Sequence, residues 1–147
     1  MDVGLTRAGF EVLWAAEKDH AACDTYNHNA EVAVSRRLDL ETIDFDELRR
    51  ELPGPVDCLF GGPPCQGFSR SRKGEMRLDD PRNELADVFM DAADKLRPRS
   101  FLMENVDILG TKPLFKPILD KLIERAQSLG YACPYSVLNT HNFDVPR

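Results

Sequence analysis

The chain has no excess of basic charge. Its 19 Lys and Arg are outnumbered by 25 Asp and Glu, for a formal net charge of −6, which excludes the broad cationic footprint of a self-sufficient nucleic-acid binder. Any nucleic-acid contact is expected to be local or supplied elsewhere. Cysteine is sparse and scattered: Cys23, Cys58, Cys65 and Cys133 form no Cys-x-x-Cys pair, and His20, His28 and His141 stand at no metal-ligand spacing from them. No metal site is expected from such a pattern. Neither a signal peptide nor an apolar run of about eighteen residues is present, so no membrane span is expected, and free thiols in a reducing cytoplasm are the natural setting. Repeats, low-complexity tracts and linkers are also missing. With 147 residues the chain is long enough for one domain with a real core and too short for two ordinary ones.

What is present is an alternation of apolar runs with helical patterns, which argues for an α/β fold built on a parallel sheet flanked by helices. Strands are expected at 12–16, 32–34, 56–60, 100–106 and 131–138. Helices are expected at 21–29, with Asp19 as a cap, at 45–52, stopped by Pro53-Gly54, and at 114–129, closed by Gly130. A further helix opens at Asp80-Pro81, places Leu85, Val88, Phe89, Ala92, Ala93 and Leu96 on one face, and ends at Arg97-Pro98. The polar connection 67–80 has no core of its own, and loops of that length inside compact domains tend to carry function.

Two strand ends carry the chemistry. The run 56–60 leads into Gly61-Gly62-Pro63-Pro64-Cys65-Gln66-Gly67-Phe68-Ser69, a turn whose glycines and prolines fix the backbone while leaving little bulk to block a substrate. Open parallel sheets place their ligand crevice beyond the carboxyl ends of the strands, so Cys65 is expected at a mouth. Cysteine by itself is more often a small buried hydrophobe. That reading loses ground to a second apolar segment, Phe101-Leu102-Met103-Glu104-Asn105-Val106, which also ends in a polar pair. Directly after Cys65 comes the one locally basic stretch, in which Arg70, Arg72, Lys73, Arg77 and Arg82 outnumber Glu75, Asp79 and Asp80.

Gly-Gly-Pro-Pro-Cys-Gln-Gly-Phe-Ser followed by Glu-Asn-Val resembles the cytosine-5 DNA methyltransferases of the bacterial, restriction-modification type. The resemblance runs from Gly9-Phe10 and Ala15-Ala16-Glu17 to Leu138-Asn139 and Val145-Pro146. It implies a Rossmann-like sheet that binds S-adenosylmethionine and acts on double-stranded DNA with the target cytosine flipped out. Cys65 would be the nucleophile that attacks carbon 6, and Glu104 would protonate or hydrogen-bond ring nitrogen 3, a role that burial would favour by raising its pKa. Asn105 would orient Glu104 or the nearby loop. Glu17 would hold the cofactor ribose, Asp39 the adenine amino group, and Pro64 with Leu85 would line the cofactor pocket. Gln66, Ser69 and Arg82 are the candidates for contacts with phosphates or the flipped strand.

The chain departs from the family at both ends. A first strand with a Phe-x-Gly-x-Gly loop is expected before Gly4, and the helix after it would begin at Met1. At the other end Arg147 falls where the family has the Gln of Gln-x-Arg-x-Arg, and no target-recognition domain is expected within these residues. A partial catalytic domain over 1–147, truncated at both ends, is therefore expected. It would be either an inactive fragment, favoured by loss of the first strand, or one subunit of a split methyltransferase that needs a second chain. The edges of the strands bearing Glu17 and leading to Cys65 are expected to be unpaired or to join each other. A related tRNA methyltransferase is disfavoured, since its Cys-Phe-Thr signature is not found, and a Cys-His hydrolase lacks a histidine placed near Cys65.

Overall fold

The computed structural model describes residues 2–64 and 84–143. Helices α1 (Asp2–Arg7), α2 (His20–Asn29), α3 (Phe45–Glu51), α4 (Glu84–Leu96), α5 (Ile108–Thr111) and α6 (Lys116–Ser128) alternate with strands β1 (Ala15–Glu17), β2 (Ser35–Arg37), β3 (Cys58–Gly61) and β4 (Ser100–Met103). The chain is thus mixed α/β, and it divides into two units, Met1–Gly61 with Asp91–Phe101 and Gly62–Met90 with Leu102–Arg147.

In the first unit α2 begins as the sequence predicts, with the Asp19 side chain accepting the Ala22 N–H. α3 is set in the same way by Asp44, which accepts from the N–H groups of Asp46 and Glu47 at 2.9 and 3.0 Å. Its acidic first turn and basic last turn complement the helix dipole. Arg49 then donates from Nη1 to the carbonyls of Lys95 and Leu96, which ties α3 to the end of α4. α4 stops at Arg97, whose φ of 49° leaves the helical region directly before Pro98, the stop expected from Arg97-Pro98.

β1 and β2 are parallel, with Ala15 opposite Ser35 and Glu17 opposite Arg37. The expected strand at 32–34 is therefore displaced to Ser35–Arg37. Its start is decided from outside the strand. Asn27 of α2 brackets Ser35, accepting its N–H at 2.9 Å and donating to its carbonyl at 2.8 Å, while Cys23 Sγ donates to the Ser35 carbonyl and hydroxyl. Val32 lies 69% exposed, which a buried-face strand would not allow.

β3 is paired with β4 in a second two-stranded sheet, and no described strand joins the two pairs. β1 and β3 accordingly each keep one edge without a ladder partner among the described residues.

The second unit packs Phe115, fully buried, against Ile108 and Leu109, with Ile118 and Leu119 around them. α6 ends as expected at Gly130, where a φ of 93° lets Gly130 N–H reach the Gln127 carbonyl and Tyr131 N–H reach the Ala126 carbonyl. The segment 131–138 is not a strand. A period-two run becomes a strand only by joining a ladder, and this one belongs to neither of the two described sheets. Instead Tyr135 and Val137 close over Gly110, where a Cβ would meet Val137 Cγ2 at 3.2 Å. β4 likewise ends at Met103 instead of running to 106, so Glu104 and Asn105 stand beyond the ladder.

Candidate active site

In the second unit the Gly62-Pro63-Pro64 turn follows β3 and Glu104-Asn105 follows β4. Asn105 joins them. Its Nδ2 donates to the Pro63 carbonyl at 3.3 Å, while its Oδ1 accepts the Val106 N–H at 2.8 Å. One amide side chain therefore pins the turn that leads to Cys65 and shapes its own strand end. Proline has no N–H to give, so at Pro63 the carbonyl is the backbone group open to a partner. Asn105 thus contacts the turn that precedes Cys65.

Glu104 departs from expectation. Its side chain is exposed, because β4 ends one residue earlier and no described element covers it. The burial anticipated from the apolar strand is not provided by the strand. Leu85, in the first turn of the described part of α4, is half-buried, and Pro64 is exposed. Cys65, Gln66, Ser69 and Arg82 lie outside the described residues.

Two of the other thiols have defined surroundings. Cys23 is buried and donates to Ser35. Burial pushes the Cys133 thiol up from its ordinary value, which disfavours the thiolate.

In the first unit Glu17 and Asp39 follow the parallel strands β1 and β2. Leu38 N–H donates to the Glu17 carbonyl at 3.1 Å, which keeps the strand ends zipped for one residue past the ladder. Glu17 is half-buried and its Oε1 accepts the Asp19 N–H at 2.9 Å. Asp39 caps a short 3-10 turn, Leu40–Thr42, through the Glu41 N–H, and its other oxygen meets Lys18 Nζ. The Lys18 hydrogen bond, then the Glu41 N–H, hold the Asp39 carboxyl below the usual carboxylate range. Lys18 is held above its ordinary range by the same bond. Lys18 did not stand out in the sequence. Its position between Glu17 and Asp19 was the available signal, but its partner is remote in the chain. Among the described residues no group of three or more His, Cys, Asp or Glu could hold a metal ion, and no helix is long and apolar enough to cross a membrane.

A family model for the C-5 cytosine-specific DNA methylases matches residues 1–147. The chain belongs to this family. Among its similar relatives are the type II methyltransferase M.AgeI of Thalassovita gelatinovora, 37% identical over 98% of this chain and 34% of that one, and M1.HphI of Haemophilus parahaemolyticus, 39% identical over 99% and 39%. The fold matches a solved prophage-encoded E. coli protein assigned as a DNA modification methyltransferase, with a TM-score of 0.71 at 30% identity, covering 86% of this chain and 34% of that one. This C-5 cytosine methylase chain thus spans 34 and 39% of the length of the two curated relatives.

Proposed function

We propose that this methylase chain carries the nucleophile and the nucleoside-holding acids of a DNA (cytosine-5)-methyltransferase. The observation that supports it most is the Asn105 to Pro63 hydrogen bond, which couples Glu-Asn-Val to the turn before Cys65. Two motifs distant in sequence are joined by one side chain.

Carbon 5 of cytosine is a weak nucleophile until electron density is added to the ring. In this reading the Cys65 thiolate bonds to carbon 6, and Glu104 gives a proton or a hydrogen bond to nitrogen 3 as the charge develops there. Glu104 is exposed, so a base can reach its carboxyl directly. A free thiol of pKa ~8.5 is only slightly ionised at neutral pH, so the basic residues after Cys65 favour its thiolate. S-adenosylmethionine, when bound, supplies an electrophilic methyl group for carbon 5. The carbon-5 proton then leaves to water, sulfur departs with its electron pair as the thiolate, and nitrogen 3 returns its proton to Glu104, which restores the aromatic ring.

The acids of the first unit fit such a nucleoside. Carboxylates accept hydrogen bonds, and the ribose diol and exocyclic amine donate them. Glu17 is assigned to the ribose and Asp39 to the amine. Both follow parallel strands at their carboxyl ends, where an α/β sheet of Rossmann type holds nucleosides. Gln66, Ser69 and Arg82 are assigned to phosphates or the strand around a flipped cytosine. With its net charge of −6, the chain is assigned only local contacts with DNA.

The test is a chimera in which this chain replaces the matched segment of M1.HphI. Duplex DNA carrying 5-fluorocytosine should be trapped covalently in the presence of S-adenosylmethionine, and Cys65→Ser should abolish the adduct. Trapping at Cys23, Cys58 or Cys133 refutes the assignment.

A further inference from the structure

We propose that Lys18 is a positioning residue that gates the nucleoside acids, holding the Asp39 carboxylate until a ligand displaces it. This rests on the reading of Glu17 and Asp39 given above. The two parallel strands end in register at Glu17 and Arg37, so the segments that follow leave the sheet together, and Lys18 spans from one to the other. The Asp39 carboxylate has a fixed part and a movable part. Oδ1 is committed to the Glu41 N–H at 3.2 Å, and the backbone carbonyl receives the Thr42 N–H and hydroxyl, so the group is aimed by its own turn. Oδ2 faces Lys18 alone among the described residues.

Lys18 is suited to let go. Its side chain is 74% exposed while that of Asp39 is 28% exposed. An exposed ion pair is screened and holds weakly, and a lysine stem is long enough to swing its ammonium back into water without disturbing the strand. An arriving exocyclic amine is a neutral donor that needs the acceptor Lys18 covers. It takes over Oδ2 while the Glu41 bond continues to aim the carboxylate. Lys18 thereby sets how readily the acids at these two strand ends admit a nucleoside, and salt weakens that control.

Calorimetric titration of the chain with S-adenosylhomocysteine, a nucleoside with no net charge, tests the gate. At about 50 mM salt Lys18→Met is expected to bind about two- to five-fold tighter than the wild type, the range an exposed ion pair spans. The gain should shrink toward nothing at about 500 mM salt, where the pair is screened. Lys18→Arg, which keeps the charge, should stay near the wild type. A Lys18→Met affinity equal to or below the wild type at low salt, or a gain equal at both salt concentrations, overturns the gate. Glu17→Ala and Asp39→Asn separate the two ideas. If they weaken binding while Lys18→Met changes nothing, only the gate fails. If they leave binding unchanged, or if neither the wild type nor Lys18→Met binds, the nucleoside reading fails and the gate falls with it.

Discussion

Asn105 has a small side chain with two separate tasks, and at the scale of the residue that division can be measured. Its donor holds the Pro63 carbonyl and its acceptor holds the Val106 N–H. Asn105→Asp keeps the acceptor and removes the donor, whereas Asn105→Ala removes both. In the chimera, Asn105→Asp is expected to slow adduct formation about ten-fold or more, the effect of losing roughly 1.4 kcal/mol of loop positioning. Asn105→Ala should slow it further, with nucleoside binding unchanged. Glu104→Gln should also slow adduct formation without weakening S-adenosylhomocysteine binding, since Glu104 follows β4 and the nucleoside acids follow β1 and β2. Rapid-quench trapping beside calorimetry checks both, and loss of binding in either variant contradicts the assigned roles. Asparagine was legible as a candidate because it followed an apolar run. Its partner was not, because a side chain's acceptor 42 positions away has no sequence periodicity to announce it.

Polar contacts between elements make two measurable claims. Asn27 presents an amide to Ser35 much as a neighbouring strand would, and Ser35 is buried. Asn27→Ala should therefore cost about 1 to 3 kcal/mol through unpaired backbone groups, read as a lower urea midpoint. Asn27→Asp, which retains the acceptor, should cost less. Tyr26 of α2 hydrogen-bonds Asp2 of α1, and burial first, then that bond and the Asp2 charge, push its phenol from 10.0 up to about 12. A phenol raised in the folded chain contributes stability that is present below its unfolded value and is lost as pH climbs through the folded one. Stability should thus decline from about pH 10 toward pH 12. Phenolate absorbance should show Tyr26 ionising late, and Asp2→Ala should bring that step down. A Tyr26 step unmoved by Asp2→Ala contradicts the contact.

At the scale of the whole molecule, the two two-stranded sheets leave β1 and β3 each with an open edge among the described residues. Trp14, directly before β1, has its indole Nε1 buried without an acceptor there. Unpaired edges are templates for other chains, and Leu102 on β4 adds an apolar side chain that is 51% exposed. The chain is expected to self-associate as its concentration rises, and Leu102→Lys should reduce that association by placing a charge on the exposed face. Sedimentation velocity over a hundred-fold concentration range decides it. A monomer throughout contradicts the expectation.

The sequence by itself determined the α/β alternation, the Asp19 cap, the Arg97-Pro98 and Gly130 helix stops, and the family through its cysteine loop and Glu-Asn-Val. Helices and caps close their hydrogen bonds within a few residues, so neighbouring side chains are enough to locate them. Only the tertiary structure decided that the second strand starts at Ser35, that 131–138 is not a strand and that Glu104 is exposed. It also decided that Asn105 reaches Pro63 and Lys18 reaches Asp39. Each of these depends on a partner distant in the chain: a strand exists only beside another strand, and burial only beneath another element.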